Sequence, residues 1–139
     1  MIARPDFFAV SSPRTVLVVD DVGEVLRWLA RVFRRGGWRV LAADSGDAAL
    51  AAWTREEEEG RAVDLLVTDL AMPGMDGHAL ADALWRQAPT LPVLALTGRE
   101  DRRDRWRRTL HPGSAVLLKP VHPDVLRDAA ERLVAGAGV

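Results

Sequence analysis

Residues 63–77 have the sequence VDLLVTDLAMPGMDG, in which a largely apolar run ends on an aspartate and a turn containing proline and glycine follows. Consecutive apolar residues without polar alternation predict a strand that is buried on both faces of a sheet. The turn leads to Asp76, which can cap a helix. The stretch therefore predicts a strand, a tight loop and a helix, with Asp69 at the end of the strand.

The same succession of an apolar run and a helical pattern extends over the chain. The predicted strands are residues 15–20, 38–42, 63–69, 92–97 and 115–119. The predicted helices are residues 22–35, 47–58, 77–85, 100–110 and 123–135. Strands that alternate with helices through short connections form a parallel sheet covered on both faces. Right-handed crossovers then favour a doubly wound α/β fold.

Composition excludes several other classes of protein. The 139 residues fit one domain, which we expect over residues 14–135, with a flexible extension over 1–13 and a tail over 136–139. The net charge of -1 offers no overall attraction to nucleic acid or to an anionic membrane, and there is no cysteine for a disulfide or thiolate site. No apolar run has the length of a signal peptide or a membrane span, so a cytoplasmic protein is expected.

Polar residues lie at the ends of four of the five predicted strands. Asp20 and Asp21 follow the first strand, Asp69 closes the third, Thr97 the fourth and Lys119 the fifth. Each residue alone could simply cap a helix or end a strand. In doubly wound sheets, however, binding sites form beyond the carboxyl ends of the strands. The coincidence at one edge therefore predicts a single site.

The residue types at this edge predict phosphoryl chemistry with a divalent cation. Three carboxylates and one ammonium leave about two uncompensated negative charges. Oxygen ligands without histidine or cysteine favour Mg²⁺ over zinc. With the cation bound, Asp69 can act as a nucleophile on phosphorus, while Lys119 and Thr97 contact the phosphoryl oxygens.

Four motifs together resemble the signature of the response-regulator receiver family, as in CheY-like proteins. They are Asp20-Asp21, the run DLAMPGMDG at 69–77, Thr97-Gly98 and Lys119-Pro120. The resemblance covers about residues 15–134 and implies a flavodoxin-like sheet of five parallel strands in the order 2-1-3-4-5, with five helices. It also implies a histidine kinase or phosphotransfer protein as the phosphoryl donor.

The resemblance further implies a role for each site residue. It makes Asp69 the phosphoacceptor, Asp20, Asp21, Asp69 and the backbone carbonyl of Ala71 the Mg²⁺ ligands, Thr97 the switch hydroxyl, and Lys119 the phosphoryl contact before a cis peptide bond to Pro120. The chain would then be a switch that assists its own phosphorylation and dephosphorylation, not an enzyme with a separate substrate.

The chain departs from the family pattern on the side where the signal would leave. Val116 occupies the position three residues before the lysine, where the family often has tyrosine or phenylalanine. The fourth predicted helix is rich in arginine around a tryptophan. We expect a partner face made of Arg102, Arg105, Trp106 and Val116, although an arginine-rich helix can also be merely solvated. The acidic residues 56–59 are expected to be a solvated end of the second helix.

Several functions remain open at this stage. The leading hypothesis is a phosphorylation-dependent switch of a two-component system or phosphorelay that acts through a protein partner, a weak homodimer included, because few residues follow Val134. An alternative is a receiver-like scaffold that docks without phosphate. A flavodoxin-type electron carrier is disfavoured because no Ser/Thr/Gly-rich phosphate loop follows Asp20. Direct binding of nucleic acid through the arginine-rich helix is weaker still and would be salt-sensitive.

Overall fold

The computed structural model describes residues 13–109 and 111–136, in which strands and helices alternate. The strands are β1 Thr15–Val19, β2 Arg39–Ala43, β3 Leu65–Asp69, β4 Val93–Thr97 and β5 Ser114–Leu118. The helices are α1 Gly23–Arg35, α2 Gly46–Glu58, α3 Gly77–Gln87, α4 Glu100–Arg107 and α5 Pro123–Ala135. The predicted extension and tail lie outside the described residues, except for residues 13 and 136. Among the described helices, none combines the length and apolar character required to cross a membrane.

The strands form one parallel sheet in the order β2-β1-β3-β4-β5, which confirms the predicted topology. The three central strands β1, β3 and β4 are buried along their whole length, as consecutive apolar residues predict. Helices α1 and α5 pack on one face of the sheet, and α2, α3 and α4 contribute to the core on the other. All five strands therefore present their carboxyl ends at the same edge.

The helix ends follow local chemistry that the sequence displays. Asp76 caps α3, because its Oδ1 accepts a hydrogen bond from the backbone N–H of Ala79 at 2.9 Å. Helix α4 is shorter than predicted and ends at Arg107. Its last turn closes early because both the backbone N–H and the hydroxyl of Thr109 donate to the carbonyl of Trp106, at 2.9 and 2.8 Å. The chain then leaves the helix toward β5.

The structure corrects the expectation for the acidic end of α2. Glu56 is not solvated: its side chain is 4% exposed and accepts hydrogen bonds from two arginines, Arg39 at the start of β2 and Arg61 beyond the helix. These guanidinium groups lower the pKa of Glu56 to about 2. Ion pairs with two arginines that lie outside the helix therefore allow Glu56, one member of an acidic run, to be buried.

Candidate functional site

Three carboxylates converge beyond the carboxyl ends of β1 and β3. Asp20 is fully buried and Asp69 is 7% exposed, whereas Asp21 is exposed. One carboxylate oxygen from each lies within 4.8 Å of the other two. The side of the sheet predicted to hold the site thus brings together acids that are 49 positions apart in the sequence, through the β1–β3 pairing.

Lys119 enters this cluster from the end of β5. Its Nζ lies 2.8 Å from Oδ2 of Asp20 and 3.4 Å from Oδ1 of Asp69. The other oxygen of Asp20 accepts the backbone N–H of Val22 at 2.9 Å, which orients the carboxylate. The backbone N–H of Lys119 donates to the carbonyl of Thr97 at 2.7 Å, and its peptide bond to Pro120 is cis, as the resemblance implied.

The electrostatics of the cluster are those of an incompletely neutralised acidic site. Burial raises the pKa of Asp69, and the charges of Asp20 and Asp21 act in the same direction, although Lys119 opposes them. Burial acts to lower the pKa of Lys119, but its hydrogen bond to Asp20 and the charges of Asp20 and Asp69 raise it overall. The site therefore favours an additional cation.

The donor set fits Mg²⁺. Asp20, Asp21 and Asp69 supply hard carboxylate oxygens. Mg²⁺ is usually held by one or two carboxylates and keeps several waters, which an opening lined by the exposed Asp21 permits. A softer metal would require nitrogen or sulfur ligands, which this cluster does not contain.

Thr97 stands at the end of β4, beside the strand that carries Asp69. The side chain is fully buried, and its Oγ1 accepts the backbone N–H of Arg99 at 3.2 Å. A hydroxyl also has a proton to donate. The sheet register pairs Asp69 with Leu96, so Thr97 lies one residue further along β4 at the same edge of the sheet.

Gly77 lies beside the site, although the sequence pattern indicated no role for it beyond membership of the 69–77 motif and the start of a predicted helix. A Cβ atom at this position would lie 2.3 Å from the carbonyl oxygen of Asp69 and 2.9 Å from Cα of Leu70. The backbone N–H of Gly77 donates to the carbonyl of Leu70 at 3.1 Å. The start of α3 thus packs directly on the backbone of Asp69, which only glycine permits. A glycine directly after the capping Asp76 was the available signal.

The predicted partner face needs correction at Trp106. This side chain is 2% exposed and packs against His78 and Trp85 of α3, with ring centroids 5.3 and 5.8 Å apart. Val116 is half-buried and packs against the same side of the core. Trp106 therefore lies in the core, because an eight-residue helix so rich in arginine has no other large apolar side chain with which to attach itself to the sheet.

The two arginines of the predicted partner face differ. Arg102 is half-buried and contacts the rest of the fold: its Nη1 donates to the carbonyl of Leu70 at 3.2 Å and lies 3.6 Å from Oδ2 of Asp76. Arg105 is exposed. Of the four residues predicted for this face, only Arg105 is classed as exposed; the other residues are buried or partly buried.

Comparison with known proteins identifies the family. The response regulator receiver domain family matches residues 16–131. The chain is 35% identical to the response regulator protein FleR of Pseudomonas aeruginosa over 122 residues, which cover 87% of this chain and 24% of that protein. It is 36% identical to the virulence sensor protein BvgS of Bordetella pertussis over 132 residues, which cover 89% of this chain and 10% of that protein.

Solved structures agree with these relatives. A response regulator receiver domain protein from Clostridium thermocellum superimposes with a TM-score of 0.77 at 25% identity, over 88% of this chain and 94% of that one. A response regulator receiver protein from Sinorhizobium medicae gives 0.75 at 26% identity, over 89% and 96%. The chain spans less than half the length of the curated relatives it matches. The general function of this family is that of a phosphorylation switch in two-component systems. The chain belongs to the response regulator receiver domain family.

Proposed function

We propose that this chain is a phosphorylation-dependent signalling switch that accepts one phosphoryl group on Asp69 with the help of Mg²⁺. The observation that carries the proposal is the convergence of Asp20, Asp21 and Asp69 within 4.8 Å, with the ammonium of Lys119 between two of them. The phosphoryl donor is a histidine kinase or phosphotransfer protein, and the signal leaves through a protein partner.

The reaction forms one bond and breaks one. A carboxylate oxygen of Asp69 attacks phosphorus, the P–N bond of the donor phosphohistidine breaks, and the released imidazole takes up a proton. Lys119 is already within 3.4 Å of Asp69 and can follow the new phosphoryl oxygens, and Thr97 donates its hydroxyl hydrogen to one of them. Bound Mg²⁺ would supply neutralisation of the charge on the phosphoryl oxygens, held there by Asp20, Asp21, Asp69 and the carbonyl of Ala71.

A small phosphodonor with Mg²⁺, followed by intact mass, tests this proposal. The wild type is expected to gain the mass of one phosphoryl group, and chelation of Mg²⁺ or the Asp69→Asn substitution is expected to abolish the gain. Lys119→Ala leaves uptake possible but weakens the switch, since Lys119 contacts the product more than it performs the attack. Asp82→Asn, which removes an exposed carboxylate of α3, is the matched control. Wild-type uptake by the Asp69→Asn protein would refute the assignment.

A phosphate-independent docking scaffold is the alternative. It predicts no mass gain under any of these conditions and the same partner binding by wild type and Asp69→Asn. The ion pair between buried Asp69 and half-buried Lys119 favours the switch, because a scaffold gains nothing from an acidic cluster whose charges are incompletely neutralised.

A further inference from the structure

Arg102 joins α4 to the loop that follows the phosphoacceptor. Its Nη1 donates to the carbonyl of Leu70, the residue after Asp69, and approaches the carboxylate of Asp76 in the same loop. The Arg102 side chain is 26% exposed, so part of its guanidinium is enclosed by these contacts. Within residues 13–109 and 111–136, no other α4 side chain hydrogen-bonds to this loop.

The Leu70 carbonyl is held from two sides. The backbone N–H of Gly77 donates to it from the start of α3 at 3.1 Å, and Arg102 donates from α4 at 3.2 Å. The N–H of Leu70 is itself bonded to the carbonyl of Leu96 in β4 at 3.0 Å. These contacts resist rotation of the peptide unit that joins Leu70 to Ala71. The carbonyl of Ala71, which would complete the metal site, lies one peptide further along.

Helix α4 buries few of its own side chains. It contains eight residues, and Trp106 is its one buried side chain. The residue before it, Arg99, provides no side-chain cap for its first turn. Short helices are marginal without tertiary contacts, and segments with few buried contacts open first. The hydrogen bond from Arg102 to the Leu70 carbonyl therefore adds to the attachment of the first turn of α4.

We propose that Arg102 is a positioning residue that orients the Ala71 carbonyl toward Mg²⁺ and so links the occupied phosphorylation site to α4. The inference rests on the proposed function, because it concerns the metal-dependent site around Asp69. Linkage of this kind is reciprocal. The contact between Arg102 and Leu70 strengthens Mg²⁺ binding, and Mg²⁺ binding holds the first turn of α4 against the loop.

Removal of the guanidinium has two effects of opposite sign, which allows a decisive test. Loss of a positive charge beside the loop next to Asp69 removes some repulsion of Mg²⁺ and so strengthens its binding. Loss of the contact that orients the loop weakens it. We expect the second effect to dominate, so that Arg102→Gln binds Mg²⁺ about three- to tenfold more weakly than wild type. Arg105→Gln removes the same charge from an exposed position of the same helix and should bind Mg²⁺ as tightly as wild type or slightly more tightly.

The measurement is a Mg²⁺ titration without phosphodonor, followed by calorimetry and by the assigned indole resonance of Trp106. Mg²⁺ should shift this resonance in wild type and less in Arg102→Gln, and Arg102→Lys, which keeps a charged donor, should recover part of the affinity. An amide spectrum recorded without Mg²⁺ checks that each variant is folded, and Arg102→Lys replaces the glutamine variant if that one is not.

Two outcomes separate this inference from the proposed function. If Arg102→Gln and Arg105→Gln bind Mg²⁺ alike while the wild type still takes up a phosphoryl group, the positioning role of Arg102 is wrong and the switch stands. If Arg102→Gln weakens Mg²⁺ binding but the wild type takes up no phosphoryl group, the positioning role stands and the switch is wrong.

Discussion

The ammonium of Lys119 lies between two buried carboxylates and is closer to Asp20, at 2.8 Å, than to Asp69, at 3.4 Å. The longer contact leaves Asp69 the less closely paired of the two, and burial raises the pKa of this carboxyl. A phosphoryl group on Asp69 would bring oxygens toward an ammonium that is already in place. The same Lys119 side chain can therefore contact Asp69 in the free protein and the phosphoryl oxygens in the phosphorylated one.

A prediction at this scale concerns the lifetime of the acyl phosphate. Its hydrolysis requires a water aligned with phosphorus, and the resemblance to the family places side chains two positions after the phosphoacceptor and two after the threonine beside that path. These positions hold Ala71, which cannot polarise water, and Arg99, whose guanidinium pairs with Asp101 at 2.9 Å. We expect slow self-dephosphorylation, and we expect Ala71→Asn to shorten the lifetime by on the order of tenfold.

Decay of the phosphorylated mass with time, after removal of the donor, measures this lifetime. Ala51→Asn places the same side chain at an exposed position of α2, away from the site, and serves as the control. An unchanged lifetime in Ala71→Asn would mean that the side chain at this position does not control access of water.

Single residues also mark how far the sequence could predict the site. Asp20, Asp69, Thr97 and Lys119 were predictable because strand ends of a parallel sheet share one edge. The hydrogen bond of Arg102 was not predictable, because its acceptor is a backbone carbonyl 32 positions away. Whether the two groups meet depends on how α4 packs against the loop. Long-range contacts of this kind leave no periodicity in the sequence.

At the scale of elements, α4 is the helix whose sequence was hardest to interpret. Its arginines indicated a solvated or partner-binding face, and its single tryptophan was assigned to the same face. In the structure Trp106 is buried against α3, and its Nε1 and the Nε2 of His78 have no hydrogen-bond partner among the described residues. Burial and the charge of Arg105 lower the pKa of His78, which disfavours a positive charge on this imidazole.

The strands and most helices were predicted to within one or two residues, because apolar runs and capping residues are local signals. The predicted end of α4 was wrong by three residues, since Thr109 closes the helix on the carbonyl of Trp106 through a local hydrogen bond that the sequence pattern does not reveal. The prediction that Trp106 faces a partner was wrong because α4 lacks an amphipathic pattern. Trp106 alone therefore determines which face of the helix is buried. Pattern-based inference requires several apolar residues to identify a face.

A second prediction concerns this helix. A beryllofluoride mimic of the phosphoryl group, added with Mg²⁺, should shift the indole resonance of Trp106, because Thr97 moves toward the mimic and the chain from Thr97 leads directly into α4. Such a change requires contacts that differ between the two states, and the Thr97 hydroxyl supplies one. Thr97→Ala should suppress the shift and leave phosphoryl uptake largely intact.

Resonances assigned one by one provide the readout, because four other tryptophans, Trp28, Trp38, Trp53 and Trp85, would obscure a bulk fluorescence signal. Trp28 on α1 serves as the internal reference on the opposite face of the sheet. A response at Trp28 with none at Trp106 would place the output on the α1 side instead.

Over the whole molecule, the two edges of the sheet differ in electrostatic character. The carboxyl edge holds acids that are incompletely neutralised, which is useful for binding a cation but not for stability. The amino edge holds Glu56, which Arg39 and Arg61 neutralise within the fold. Arg39 also lies beside Thr15 at the start of β1, so this cluster joins β1, β2 and the end of α2. One edge is thus suited to function and the other to holding the fold together.

The last prediction follows from the amino edge. The pKa of Glu56 is lowered from 4.5 to about 2 in the folded protein, so the unfolded chain binds a proton more readily than the folded one between these values. The stabilisation from Glu56 is therefore fully present above about pH 4.5 and is lost as the pH falls toward 2. Arg39 and Arg61 are partly exposed, which reduces the contribution to about 2 kcal/mol. Glu56→Gln should lower the free energy of unfolding by about this amount at pH 7 and flatten its decline below pH 4.5, as measured by denaturant unfolding at several pH values. Glu57→Gln, which changes the exposed neighbour, should alter neither quantity; equal effects of the two substitutions would show that the ion pairs of Glu56 do not stabilise the fold.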